Sequence, residues 1–165
     1  MLAGCDAYTS LFNGLPQTIV LSAPVDYTTA QVNLNIDVGG GSERSTAYVR
    51  KDGIYLIEFA AQLSQPAQFM IFVNNVPVIT SGFGQNSGAG ELIGRQLLAL
   101  RKNDGVSVRN YLSTIGTIAI DPSEGGSQPG ISVELVFAKT CSISARVRRQ
   151  MLQTKTPQRT QSIFQ

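Results

Sequence analysis

The chain has 165 residues, 42% of them apolar and only 15% charged, with 16 glycines and no histidine. That length fits one domain large enough to bury a core without covalent staples. The missing histidine removes the commonest general base and metal ligand together, and low charge suits a protein that hides surface against neighbours. No apolar run is long enough to span a bilayer as a helix, and no membrane partner is expected. The opening MLAGC resembles the end of a lipobox, but no basic and apolar stretch stands before it, so lipidation is not expected.

Charge is unevenly distributed. Residues 1–140 hold all eleven acidic side chains and eight basic ones. Residues 141–165 hold Arg146, Arg148, Arg149, Lys155 and Arg159 with no acid. A slightly acidic body therefore carries a tail of net +5.

In chain order, residues 5–12 read as a strand before Asn13-Gly14, and 18–21 as a short one. Residues 31–38 alternate, with Val32, Leu34, Ile36 and Val38 on one face, which predicts a single half-buried strand ended by three glycines. Residues 45–49 lead into the Lys51-Asp52-Gly53 turn. Asp52–Leu63, DGIYLIEFAAQL, places Tyr55, Ile57, Phe59, Ala61 and Leu63 on one wholly apolar face and a mixed set on the other. Residues 69–73 and 76–80 flank Asn74-Asn75 as a hairpin, and 81–90 read as a glycine-rich loop. Residues 91–100 and 105–111 flank Lys102-Asn103-Asp104, and 117–120 and 131–138 close the series. About ten short strands and no helix before residue 140 predict an all-β antiparallel sandwich or jelly roll. Beyond it, Ile143, Val147 and Met151 permit either a short helix or a strand, and 154–165 reads as an extended arm.

Chemistry is sparse. The 82–90 loop lacks the Gly-Lys-Ser/Thr and following helix that a phosphate needs. Asp52, Asp104, Asp121 and Glu124 sit in turns, where turn formation accounts for them. Ser10, Ser107 and Ser113 have no histidine to activate them. No enzyme activity and no cofactor or metal is expected. The cluster Arg146-Val147-Arg148-Arg149 lacks interleaved aromatics, so a docking arm is favoured over nucleic-acid binding.

Four pieces then fall in order: Gly53-x-Tyr55-x-Ile57-x-Phe59, Ile71-Phe72-Val73-Asn74-Asn75-Val76-Pro77-Val78, Leu100-x-x-Asn103-Asp104-x-Val106-x-Val108, and Ile131–Phe137. Together this set resembles C1q/TNF-like head domains of the compact bacterial and viral type, with Asn75 and Asn103 where glycine is usual. The resemblance covers residues 5–140. It implies a jelly-roll domain over 1–140 followed by a basic arm over 141–165. It implies a homotrimer, with Tyr55, Ile57, Phe59 and Tyr111 as candidates for the trimer or core seam. First and last strands paired as in this family would bring Cys5 and Cys141 together, so a disulfide and two reduced thiols both stay open. The function expected is a structural assembly protein: a trimeric minor capsid or capsid-surface component of a virion, whose arm docks on neighbouring coat proteins. The alternative is a receptor- or glycan-binding head on a spore, phage or secreted ligand.

Overall fold

Strict alternation from Gly53 to Leu63 builds the central strand of the fold. In the computed structural model, which describes residues 6–39, 44–86, 90–121 and 132–140, Tyr55, Ile57, Phe59 and Leu63 have no exposed surface. Twelve strands are present and no helix among the described residues: β1 Tyr8–Asn13, β2 Gln17–Val20, β3 Thr29–Leu34, β4 Ile36–Val38, β5 Ala47–Val49, β6 Gly53–Leu63, β7 Ala67–Val73, β8 Val76–Gln85, β9 Gly90–Leu100, β10 Gly105–Asn110, β11 Thr117–Ile120 and β12 Val133–Lys139.

They form two antiparallel sheets. The seven-stranded sheet runs β2-β11-β6-β12-β1-β3, with β9 on the other side of β6, and the five-stranded sheet runs β4-β5-β10-β7-β8. Between them lies one core, to which β6 contributes its odd-numbered side chains, β7 Phe69 and Ile71, β10 Val106 and Val108, and β12 Leu135 and Phe137. Phe59 and Phe69 meet across it with ring centroids 5.2 Å apart, so the sheets pack as facing layers.

Two turns use asparagine where the backbone turns left-handed. Asn74 and Asn75 have φ of 51° and 65°, the pattern of a tight primed hairpin turn, and Asn103 has φ of 70°. A third asparagine corrects the sequence expectation. The alternating run 31–38 is not one strand. Asn35 takes φ of 56°, which turns the chain out of the seven-stranded sheet as β3 and into the five-stranded sheet as β4. Every residue of β3 is exposed, whereas Ile36 is buried, so the supposed half-buried face is divided between two surfaces. The glycine-rich loop is also shorter than expected, because Ser81–Gln85 continues β8 along β7.

Strand direction gives the sandwich two poles. β1 pairs with β12 so that Tyr8 lies opposite Ala138 and Asn13 opposite Val133. β12 pairs with β6 from Lys139↔Tyr55 to Val133↔Ala61. Both chain ends of the described domain therefore sit at one pole, near Asp6, Lys51 and Lys139. The turns after β1, β2, β6 and β10 gather at the other.

Candidate interaction surface

Because registers align side chains across a sheet, the outer face of the seven-stranded sheet can be read row by row. One row runs Leu34, Tyr8, Ala138, Leu56, Leu97 across β3, β1, β12, β6 and β9. It is apolar throughout, and its four large members are 36–56% exposed. The next row is Val32, Ser10, Val136, Glu58, Arg95. Its polar members are paired within the face: Ser10 donates to Glu134 at 2.8 Å, and Glu58 meets Arg95 at 2.7 Å. Ile93 lies beyond, opposite Ala60 and half-exposed. A continuous apolar stripe with its few charges neutralised locally is a surface prepared for contact rather than for water.

The neighbouring side of the sandwich is also uncharged. β8 is the outermost strand of its sheet and reads VPVITSGFGQ without a charged residue, exposing Val76 and Ile79. Long uncharged edge strands are ordinarily avoided because they template association. Here β8 and β9 are held together by Phe83, whose ring lies over Gly94 so closely that a β-carbon there would stand 2.1 Å from it.

Of the four candidates for a trimer or core seam, three lie side by side on one strand and Tyr111 lies apart from them. Tyr55, Ile57 and Phe59 lie wholly inside the core of a single chain. Tyr111 lies at the far pole in the other sheet's half of the sandwich, edge-on to Phe72 at 5.2 Å, while Arg109 stacks over Phe72 at 4.6 Å and donates to Asn75. It is the even-numbered side of β6, Ile54, Leu56 and Ala60, that faces outward, and this is the side the sequence left as mixed. The apolar row was missed because it needs the register of five strands, three of them far apart in the chain. Cys5, Cys141 and the arm residues Arg146, Arg148, Arg149, Lys155 and Arg159 lie outside the described residues.

The polar groups of the body serve the scaffold. Asp6 joins Lys51 and Lys139, each at 2.9 Å, tying β1, the turn before β6 and the end of β12. These hydrogen-bonded ammonium groups, Lys51 first and Lys139 second, draw the Asp6 carboxyl down to about 2. Tyr55 donates to the Lys51 carbonyl at 2.8 Å, and burial, aided by the charge of Asp6, pushes its phenol up to about 12. Asp52 accepts from the Lys102 amide, and Asp104 from the Arg101 amide and Asn74. A cleft of about 380 Å³ is lined by Val73, Val78, Leu98 and Leu100 together with Asn74, Arg101 and Asp104. Its Asn74 and Asp104 are spent on each other and on the Gly105 and Arg101 amides, so they knit two turns rather than await a ligand. Ser113 both accepts from and donates to the Gln68 backbone.

Comparison with solved structures agrees with this architecture. The globular domain of zebrafish complement 1qA superposes with a TM-score of 0.58 at 13% identity, over 83% of this chain and 98% of that one. The fold is a C1q/TNF-like jelly roll. The Eiger TNF from S. frugiperda matches equally well, with a TM-score of 0.58 at 13% identity over 84% of this chain and 94% of that one. Murine APRIL at pH 5.0 gives 0.55 at 11% identity over 81% and 98%. At such identities the likeness is one of jelly-roll fold. No known family profile and no curated protein matches the sequence.

Proposed function

We propose that this jelly roll is a non-enzymatic structural protein that assembles as a homotrimer and serves as a component of a virus particle, as a minor capsid or capsid-surface protein. The apolar row Leu34–Tyr8–Ala138–Leu56–Leu97 carries the reading. It is too continuous for a surface left in water, and it differs from the uncharged β8 edge. A face that meets a different edge makes a heterologous contact, which closes into a ring when the rotation permits. The low overall charge and the basic arm, with Arg146, Arg148, Arg149, Lys155 and Arg159 available to acidic surfaces of neighbouring coat proteins, support a place in a larger particle.

Sedimentation of the purified chain tests the assembly. The wild type sediments as a trimer with an interface above roughly 2,000 Å² in total, and Leu56→Asp, which puts a charge within the row, sediments as a folded monomer. A wild type that stays monomeric at micromolar concentration overturns the reading. For the particle role, wild-type chain co-purifies with assembled particles while a chain lacking residues 142–165 remains free. Equal incorporation of both removes the arm from the mechanism.

A further inference from the structure

The ladder between β7 and β8 is broken at one point. Met70 pairs with Gly82 and Phe72 with Pro77, so Val78–Ser81 all stand opposite Ile71. Such a bulge takes the strand partner away from a backbone amide, and here Ser81 supplies a substitute. Its side chain is wholly buried, accepts from the Ile71 amide at 2.9 Å and donates to the Val78 carbonyl at 2.7 Å. Val78 packs against the core, beside Leu98 and Leu100 in the cleft. Ile79 does the opposite. At 74% it is the most exposed large apolar side chain among the described residues. Thr80, Gly82 and Gly84 nearby on the strand are exposed as well, and two of these have no side chain to shield it. A β-branched residue on a bulge clamped by a buried hydroxyl is a stiff protrusion rather than a loose one.

The apolar row on the outer face of the large sheet has one short member. Ala138 lies between Tyr8 and Leu56, its cross-strand neighbours, and both of these are exposed. Along β12 the next residue on the same face is Val136. A methyl group flanked by three larger side chains leaves a notch about one side chain wide. The charges nearest to it, Glu58 and Arg95, are paired with each other, and β8 brings none of its own. Bringing this edge to this face therefore buries no unpaired charge.

We propose that Ile79 of one copy seats in the Ala138 notch of the next copy, as the anchor that fixes how edge and face align. Each chain carries one protrusion and one notch on different surfaces, so three identical contacts close a ring. Ser81 is the positioning residue of the contact, since its hydroxyl holds the bulge that exposes Ile79. An apolar anchor in a closely fitting hollow is where the binding energy of an interface concentrates. The inference rests on the face-to-edge trimer proposed above and names the residues that make it specific.

Sedimentation equilibrium of full-length variants provides the test. Ile79→Ala shortens the protrusion, and Ala138→Ile fills the notch with a residue that strands accept. Each alone raises the concentration at which the trimer half-dissociates by about tenfold or more. The chain carrying both has its isoleucine on the face and its alanine on the edge, and it recovers to within about threefold of wild type, as coupled contact residues do. In the Leu56→Asp monomer the same two substitutions leave the melting temperature unchanged. A loss of stability there that matches the loss of trimer assigns the residues to the fold and overturns the inference. Losses that simply add in the double variant, with no recovery, overturn it too. A trimer indifferent to Ile79→Ala overturns this contact alone, whereas a wild type that never forms trimers overturns the trimer and the contact together.

Discussion

Asp6 shows how much of this fold hangs on single side chains at the ends of strands. One carboxylate holds Lys51 and Lys139, and the backbone carbonyl of the same residue accepts from Asn35. Its folded-state ionisation lies near 2 rather than at the ordinary 3.8. The charged form is the stabilising one, so the contribution is complete above about pH 4 and is lost as pH falls through about 2. Asp6→Asn should lower the melting temperature at neutral pH, and the gap from wild type should close between about pH 4 and pH 2. Asp6 is nearly half exposed, so the gap should be small, under about 1 kcal/mol per pair, and should shrink in high salt. Thermal denaturation over that pH range, at two ionic strengths, checks both statements. A gap that persists at pH 2 would show that the carboxylate's charge is not its source.

At the scale of elements, glycine placement decides how the two sheets close. Gly94 of β9 lies under the Phe83 ring of β8, with no room for a β-carbon. Gly94→Ala should push Phe83 out of the β8–β9 junction and destabilise the chain by about 1–3 kcal/mol, read as a shift in the urea midpoint at unchanged slope. Gly53 offers the contrast, since a β-carbon there meets side-chain carbons of Lys139 rather than a ring, and Gly53→Ala should cost less, chiefly by disturbing the Lys139–Asp6 pair. The same scale explains what the sequence made legible. β6, the Asn74-Asn75 hairpin and the Asn103 turn are local patterns, and local chemistry was enough to place them. Asn35 defeated the period-2 reading because one left-handed residue inside a perfect alternation reverses which side chains are buried, and asparagine alone does not announce which conformation it takes. The exposed row of the large sheet depends on pairings between residues as distant as Tyr8 and Ala138. No window along the chain contains them both. Tyr55, Ile57 and Phe59 stood out for the strength of their pattern, and strength of pattern marks a core before it marks a contact.

For the whole molecule, the position of β12 bears on when the protein can exist at all. The last strand among the described residues is not an edge. It lies between β1 and β6, filling both of their open sides, and the Lys139 amide closes onto the Ala7 carbonyl. A nascent chain that has emerged only to β11 has the first strand and the central strand made, each lacking the neighbour that separates them. Such a chain exposes two long rows of unpaired backbone groups on apolar strands and cannot bury the inner faces that Leu135 and Phe137 complete. Synthesis should therefore yield no protease-resistant domain until residue 140 is free. Arrested chains ending before residue 133 should be cut as fast as an unfolded chain, and chains arrested well beyond residue 140 should resist. For this protein, folding waits for translation to finish its domain, and a cell that makes many copies close together must keep unfinished ones from supplying the missing strand to each other.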